Sequence, residues 1–525
     1  MTGRLRFLGL AWTAVAVFAV SAQAAGLTVP EKRGKQIYLR GVNSAGKEIA
    51  AFLGNPPMDV PGSLMACANC HGWDGTGNPE GGVVPSDITW QTLTKPYGVV
   101  HASGRRHPPY SPASLERAVL AGFDPAGNKL NPSMPLYKMP PEDLADLVAY
   151  LRRLGDDRDP GLTEDTLTLG TLVPVQGPLA AAGATLRSVL AGYFDELNAQ
   201  GGIYSRKIEL RIAECGQSAQ ETRDNVARFV EQDGVFALVG AFMAGADKEI
   251  SALMEEKELP LIGPSTVYPQ TGYPLNRQVF YLFPGVKEEG RALAIHASRT
   301  FGNGSTAAAL YPDEKTSAET ADAIEAQCRK SEWVKLSRLA YPPGRFDAKT
   351  LAKKMHEDGT TVVFFLGSGR EELALAEEAA RIDWKPVLLL PGSLAGREIL
   401  STSTAFQGRI YMSFPLRSSD QTPAAAAQYR DFAARHKIEA GNLAVALSAY
   451  SAARVLVEGL KKAGRDVSRE KLIAALEGMY KFETGLTPPF TYGANRRIGA
   501  QGAYVAEVEF ARKNLIPVGG WIEVQ

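Results

Sequence analysis

The chain has 525 residues, with 57 Lys and Arg against 57 Asp and Glu, and 45% of its residues are hydrophobic. This length predicts several domains, because one domain usually takes roughly 100 to 200 residues. The formal charge of zero argues against nucleic acid or an anionic membrane as a partner.

The first residues have the pattern of a secretory signal. Arg4 and Arg6 precede an apolar run at 7–20 and an Ala-Gln-Ala site at 22–24. A basic region, a short apolar region and an A-x-A site predict removal of residues 1–24. No later apolar run approaches the roughly 20 residues that cross a bilayer. We therefore expect a periplasmic protein with no membrane span after cleavage.

A short helix is predicted at 34–38, followed by a surface loop with several Gly and Pro residues at 54–62. The next segment, Cys67-Ala-Asn-Cys70-His71, is a CxxCH motif, which is the pattern of c-type haem attachment. Two cysteines on one helical turn can each add to a vinyl group of one porphyrin, and His71 can then bind the iron as an axial ligand.

A CxxC motif can also bind zinc or act as a redox pair. A zinc site would need a second Cys or His pair at a set spacing, and Cys215 and Cys328 stand alone. A thioredoxin-type motif would follow a core strand, and none is predicted before Cys67. We therefore predict one covalent haem c at Cys67 and Cys70. The remaining two cysteines fall in different predicted lobes, and we expect buried thiols rather than a disulfide.

The sixth iron ligand has four candidates downstream. Met134 precedes a proline and a predicted amphipathic helix with apolar residues at 144–151. Met139 lies at the helix start, where it can act as a hydrophobic staple residue. His101 and His107 lie in an Arg- and Pro-rich loop, where we expect solvent-exposed side chains. We predict Met134, because a thioether ligand raises the potential and suits electron transfer. A histidine ligand and an open position remain alternatives.

These segments together resemble class I cytochrome c over residues 30 to 154. The matching segments are 34–38, Cys67 to Gly77, Met134-Pro-Leu-Tyr137 and 147–151. The resemblance implies an all-α haem domain at 25–158 with His71 and Met134 as axial ligands and Tyr150 packed near the haem. The Met-Pro-x-Tyr pattern also resembles redox partners of quinoprotein alcohol dehydrogenases. The long connection before Cys67 departs from that family.

After a polar linker at 156–161, predicted strands alternate with helices, which indicates parallel sheets with crossover helices. The predicted strands are 166–173, 208–212, 235–239, 259–262, 307–311, 362–366, 387–390 and 410–414. So many strands favour two α/β lobes, and ligands of such sheets bind at the carboxyl ends of strands. The candidate solute contacts are Gln176, Ala244, Ser265, Thr266, Ser317 and Ser368. No catalytic constellation is found among the strand-end loops, so we expect no enzyme activity.

Residues 166–525 resemble the periplasmic binding proteins of branched-chain amino acid ABC importers, the Leu/Ile/Val-binding type. The matching segments are Val173 to Pro178, 195–203, 234–240, 260–264 and 408–412. The resemblance implies a two-lobed type I fold at 163–525 that closes on a small solute and serves an ABC permease. The implied lobe 1 is about 166–285 with 417–490, and the implied lobe 2 is about 286–412 with 495–525.

Several ligand positions of that family differ in this chain. Met243-Ala-Gly-Ala246 and Val267 replace hydroxyl residues, and neither an aromatic residue near Ser317 nor an acidic residue near Ser393 is found. We therefore expect a different solute, or a domain kept for docking. The preferred interpretation is a one-electron carrier fused to a solute-binding domain and serving a periplasmic dehydrogenase. The alternative is an importer's substrate-binding protein, for a small non-standard solute, with an accessory cytochrome.

Overall fold

The structure is a computed structural model that describes residues 27–54, 56–77, 79, 82–302, 305–333 and 336–524. The chain forms two compact units, Met1–Arg158 and Asp159–Gln525, called here the N-terminal unit and the C-terminal unit. The predicted signal segment at 1–24 lies outside the described residues.

The N-terminal unit is mainly helical. Its helices are α1 (Val29–Arg40), α2 (Cys67–His71), α3 (Trp90–Leu93), α4 (Pro112–Ala121) and α5 (Pro141–Leu151). Its strands are β1 (Ala50–Leu53), β2 (Met58–Pro61), β3 (Val99–Val100), β4 (Arg106–His107) and β5 (Leu136–Lys138).

The first and last helices of this unit cross in close contact. A Cβ atom at Gly34 of α1 would lie 1.9 Å from the Asp146 carbonyl oxygen of α5, so only glycine allows this approach. The rings of Tyr38 and Tyr150 then pack with their centroids 5.6 Å apart. Beside the crossing, Arg33 Nη2 donates to Asp146 Oδ1 at 2.8 Å. The two crossing helices therefore form one side of the apolar core of this unit.

The segment before Cys67, predicted as a surface loop, is a β-hairpin. Strand β1 pairs antiparallel with β2 on one side and with β5 on the other, with Ala51 opposite both Val60 and Tyr137. A separate two-residue pair joins β3 to β4. The helices agree with the predicted all-α domain, but the domain also contains short strands that were not predicted. They form because the long insertion crosses the surface and pairs its backbone groups with the segment after Met134.

Lobe 1 of the C-terminal unit contains a parallel five-stranded sheet in the order β10-β9-β8-β6-β7. Its strands are β6 (Thr166–Val173), β7 (Lys207–Glu214), β8 (Ala237–Val239), β9 (Leu261–Ile262) and β10 (Val279–Phe280). The helices of lobe 1 are α6 (Ala180–Ala199), α7 (Ala219–Asp233), α8 (Asp247–Glu256) and, after the chain returns from lobe 2, α13 (Pro423–Arg435), α14 (Leu443–Ala463) and α15 (Arg469–Glu477).

Lobe 2 contains a seven-stranded sheet in the order β12-β11-β13-β14-β15-β16-β17. The first five strands are parallel, while β16 and β17 run antiparallel at one edge. The strands are β11 (Ala307–Pro312), β12 (Leu336–Tyr341), β13 (Val362–Phe365), β14 (Val387–Pro391), β15 (Ile410–Phe414), β16 (Gly502–Glu509) and β17 (Asn514–Glu523). The helices are α9 (Val286–Phe301), α10 (Lys315–Lys330), α11 (Ala348–Glu357) and α12 (Gly369–Arg381).

One helix of the described residues, α14, is long and apolar enough to span a membrane by length and composition, with a mean hydropathy of 1.4. Its apolar window is 67% buried within the protein, and Ala452, Ala453 and Leu456 are fully buried in the core of lobe 1. The helix therefore has the packing of a core helix, whose apolar residues face the sheet and its neighbouring helices.

Candidate functional site

The CxxCH motif forms the single helical turn α2, and hydrogen bonds hold both of its ends. Before the turn, the Tyr137 hydroxyl donates to the Met65 carbonyl at 2.6 Å. After the turn, the Tyr38 hydroxyl donates to the Gly72 carbonyl at 2.6 Å. Both tyrosines are buried. The sequence-distant helix α1 and strand β5 thus position this five-residue helix.

His71 has the surroundings of an iron ligand. Its side chain is only 8% exposed, and its Nδ1 atom lies 2.9 Å from the Ser86 carbonyl oxygen. Because a carbonyl can only accept, Nδ1 carries the hydrogen and Nε2 keeps a free lone pair. Burial lowers the pKa of His71, which favours the neutral form that binds metals.

The cysteines of the turn are available for thioether bonds. All four described cysteines are free thiols, and Cys67 packs against the apolar core of the unit. Burial raises the pKa of Cys67 to about 11, so its thiol keeps its proton at neutral pH. Two free thiols, a neutral histidine with one open nitrogen and an adjoining apolar core fit covalent haem. Cys215 and Cys328 lie in lobe 1 and lobe 2 respectively, as separate thiols. Cys328 is buried as expected, but the expectation of a buried thiol is wrong for Cys215, which is half-buried after the end of β7 and donates to the Phe242 carbonyl at 3.4 Å.

Met134 is half-buried and packs against the same apolar core as Cys67. A turn presents it, in which the Met134 amide donates to the Asn131 carbonyl at 2.8 Å. Met139 also packs on this core, at the start of α5. Tyr150 is 2% exposed and lies against Tyr38.

The expectation that both loop histidines are solvated is wrong for His107, which is 6% exposed. The Nε2 atoms of His101 and His107 lie 2.9 Å apart, in hydrogen-bond contact. The Nε2 atom of each ring is therefore engaged by the other ring and is not free to bind a metal. The sequence placed both residues in a polar loop and gave no sign that the β3–β4 pair would bring them together.

In the C-terminal unit, the predicted solute contacts all lie after strands, but some of their hydroxyls are already bonded. Thr266 donates to the buried Asp247 carboxylate and accepts from the Tyr268 amide at 2.9 Å. Ser368 is the N-cap residue of α12, and its hydroxyl donates to Glu371 at 2.7 Å. Both hydroxyls thus stabilise local structure.

The other four predicted contacts differ in exposure. Gln176 and Ala244 are exposed, Ser265 is half-buried with its backbone paired to the loop after β8, and Ser317 is buried in the first turn of α10. Tyr268 of lobe 1 lies near Glu314 and Thr316 of lobe 2, and burial together with the Glu314 charge raises the pKa of its phenol. Tyr268, which ends the predicted strand-end loop at 265–268, therefore faces lobe 2 from lobe 1.

A buried carboxylate occupies the end of β14, where the sequence suggested that no acidic residue was available. Glu289 of α9 is completely buried, and it accepts hydrogen bonds from the Ser393 hydroxyl at 2.5 Å and the Ser393 amide at 3.0 Å. Burial raises its pKa to about 7. Glu289 precedes Ser393 by 104 residues in the chain, so no local sequence pattern around Ser393 could reveal this carboxylate.

A depression of about 270 Å³ lies elsewhere in lobe 1, between α6 and α14. Tyr193, Tyr450 and Phe482 line it together with Glu196 and Arg454. It is separate from the strand-end residues. Among the described residues, no group of three or more His, Cys, Asp or Glu side chains is arranged to hold a metal ion.

These features define a two-lobed binding protein of the type I class, preceded by a small unit built around a CxxCH turn. A periplasmic binding protein family model matches residues 166–514, and a cytochrome c family model matches residues 63–155. The chain belongs to the periplasmic binding protein family, and its N-terminal unit contains a cytochrome c domain. That domain implies haem c as its cofactor. The predicted fold class is confirmed.

Curated relatives match the C-terminal unit. The Leu/Ile/Val-binding protein BraC3 of Rhizobium johnstonii is 24% identical over 346 residues, covering 65% of this chain and 91% of that protein. The leucine-, isoleucine-, valine-, threonine- and alanine-binding protein of Pseudomonas aeruginosa is 23% identical over 338 residues, covering 62% and 85%. The predicted resemblance to the Leu/Ile/Val-binding type is confirmed.

Solved structures share the fold at low identity. A branched-chain amino acid ABC transporter protein from Thermus thermophilus with bound valine superimposes with a TM-score of 0.58 at 15% identity, covering 69% of this chain and 98% of that one. A fatty acid ABC transporter substrate-binding protein from Thermomonospora curvata gives a TM-score of 0.56 at 17% identity, covering 70% and 95%. At this identity the likeness concerns the fold alone.

Proposed function

We propose that this protein is a periplasmic c-type cytochrome that carries one electron at a time and is fused to a solute-binding domain. The observation that carries the proposal is the environment of His71. The imidazole is buried on the CxxCH turn, its Nδ1 is bonded to the Ser86 carbonyl, and its Nε2 is left free. A histidine fixed in this tautomer, beside two free thiols, suits an axial iron ligand.

In this proposal Cys67 and Cys70 hold one haem by thioether bonds, and His71 and Met134 are the axial ligands. The haem, when bound, supplies a reversible one-electron couple. The chain's own groups orient His71 through Ser86 and keep water from the core. The mutual hydrogen bond of His101 and His107 supports Met134 as the sixth ligand, because neither ring has a free Nε2.

We propose the periplasm as the location and residues 25–158 and 163–525 as the two domains, with the predicted lobe boundaries inside the second. Both families typically work in that compartment. The proposed electron donor is a periplasmic dehydrogenase of the quinoprotein class. Since the proposed chemistry is electron carriage and solute binding, we propose no enzyme activity for the chain.

A second candidate function is a substrate-binding protein of an ABC importer, with the cytochrome as an accessory. The chain spans 91% of a relative named as a Leu/Ile/Val-binding protein, which favours this candidate. The occupied hydroxyls of Thr266 and Ser368 favour a solute other than an ordinary amino acid, because they leave fewer groups for the charged ends. An ABC permease is then the partner.

A redox titration of the full-length protein, followed by visible absorption, tests the first candidate. We expect a reversible transition of one electron, and a protein without such a transition would refute the electron-carrier proposal. Calorimetric titration with L-valine and with octanoate tests the second candidate. Binding of either probe that is weakened by Tyr268→Ala, but not by the exposed Tyr480→Ala, would support it. Absence of binding to both probes would remove these two solute classes.

A further inference from the structure

A chain of hydrogen bonds leads away from the proximal histidine. The Ser86 carbonyl accepts from His71 Nδ1 at 2.9 Å, and the Ser86 hydroxyl lies 3.3 Å from His101 Nδ1. His101 Nε2 lies 2.9 Å from His107 Nε2, and His107 Nδ1 lies 2.8 Å from the Pro108 carbonyl oxygen. One residue, Ser86, thus joins the iron ligand to a histidine pair.

The partners determine where the protons lie when both rings are neutral. His107 Nδ1 must donate to the Pro108 carbonyl, so His107 Nε2 accepts. His101 Nε2 therefore donates to it, and His101 Nδ1 is left as an acceptor for the Ser86 hydroxyl. This is the one arrangement of tautomers that satisfies all four contacts.

The same contacts select the atom that can take one more proton. If His101 Nδ1 gains a proton, it donates to the Ser86 oxygen, the hydroxyl hydrogen turns away, and the bond to His107 is kept. If His107 Nε2 gained the proton, two N–H groups would face each other across 2.9 Å. The pair can therefore hold one added proton, at His101 Nδ1.

Charged neighbours surround this atom. Arg105 Nη1 binds the buried Asp124 at 2.8 Å, and Tyr110 packs edge-on against the His107 ring with centroids 4.9 Å apart. Burial, Arg105 and His107 lower the pKa of His101, while Asp124 acts in the opposite direction. The pKa of His101 therefore lies below the usual value for histidine, and the ring is neutral at neutral pH.

We propose that His101 is a proton-binding site coupled to the redox state of the haem. His101 takes up one proton from solvent at Nδ1 when one electron enters the N-terminal unit from a one-electron donor, and it returns the proton when the electron leaves. One negative and one positive charge thus enter together. The physical reason is electrostatic, because an added electron reduces the positive charge near His71 and so favours a cation two hydrogen bonds away. The inference rests on the proposed electron-carrier function.

The midpoint potential of the full-length holoprotein, measured by spectroelectrochemistry from pH 4.5 to 8, tests this coupling. If reduction raises the proton affinity of His101 tenfold, the potential falls by about 59 mV across the window between the two pKa values. It stays flat on either side of that window. The sign follows because the protonated form favours the reduced state.

Three variants make the test specific. We expect His101→Gln to abolish the pH dependence, and Ser86→Ala, which keeps the carbonyl on His71, to weaken it at least twofold. The exposed His356→Gln of the C-terminal unit is the control and should leave it unchanged. Haem content and the oxidised spectrum verify that each variant is folded and ligated.

Each other outcome is decisive. A pH dependence that survives in both His101→Gln and Ser86→Ala would overturn the inference and point to other groups, such as the haem propionates. A changed oxidised spectrum in His101→Gln would instead identify His101 as an axial ligand and overturn it as well. A reversible couple without pH dependence refutes this inference alone, whereas absence of a reversible couple refutes the proposed function.

Discussion

Glu289 makes the stability of the C-terminal unit depend on pH in a direction opposite to that of most carboxylates. Its side chain is completely buried, and burial raises its pKa from 4.5 to about 7, with the Glu288 charge adding to the effect. The unfolded chain releases this proton near pH 4.5, while the folded chain keeps it to about pH 7. Because the folded state binds more protons, stability falls as pH rises between these values.

The variant Glu289→Gln removes this titration and keeps an uncharged side chain of the same shape beside Ser393. A difference of about 2.5 between the two pKa values corresponds to about 3 kcal/mol. We therefore expect the free energy of unfolding of the variant, relative to the wild type, to increase by about 3 kcal/mol from pH 4.5 to pH 7. Above pH 7 the difference should stay constant.

Denaturant unfolding of the full-length protein between pH 4.5 and 9 measures this difference. Fluorescence of the buried Trp333 and Trp384 reports lobe 2, and haem absorbance follows the N-terminal unit as an internal reference. The exposed Glu357→Gln is the matched control and should show no such trend. A wild-type-to-Glu289→Gln difference that does not vary with pH would refute the buried, raised-pKa description of Glu289.

Three further predictions concern single side chains. Met134→Ala should keep covalent haem but change the oxidised visible spectrum and lower the midpoint potential. The control Met139→Ala should change neither the spectrum nor the potential. An unchanged spectrum in Met134→Ala would remove Met134 as ligand. Gly34→Val should destabilise the N-terminal unit by about 2 kcal/mol or more in denaturant unfolding, because a Cβ at this position overlaps the last helix, and a cost near zero would refute the close crossing. Arg469→Gln should lower the stability of the C-terminal unit by about 2–4 kcal/mol, because the Arg469 guanidinium donates to four backbone carbonyls. The control is Arg465→Gln, at an exposed position. If both variants lost the same free energy of unfolding, this role of Arg469 would be contradicted.

Much of the C-terminal fold could be predicted because its strands are short apolar or alternating segments separated by helical stretches. The strands 166–173 and 410–414 match their predictions residue for residue, and the other predicted strands differ only at their ends. The missed strands carry weaker patterns. Strand β10 has two residues, and β12 is an edge strand whose apolar residues are interrupted by Ser and Arg. Strands β16 and β17 join lobe 2 only after the chain has passed through lobe 1. Such pairings depend on tertiary contacts.

The candidate haem site shows the same division. The CxxCH segment is local, and its single helical turn could be predicted from five residues. The groups that orient it could not. Tyr137 is 72 residues from its partner Met65, and Ser86 is 15 residues from His71 across a glycine-rich loop. The pairing of His101 with His107 was hidden for the same reason, since a two-residue strand pair creates it.

Mass spectrometry under denaturing conditions tests the central claim most directly. The protein is purified from a periplasm that contains the haem-attachment machinery, and its mass is compared with that of a Cys67→Ser, Cys70→Ser double variant. The account predicts a mass increment of one haem that survives denaturation in the wild type and is lost in the double variant. A wild-type chain without a covalent haem, or with a haem that denaturation releases, would contradict it.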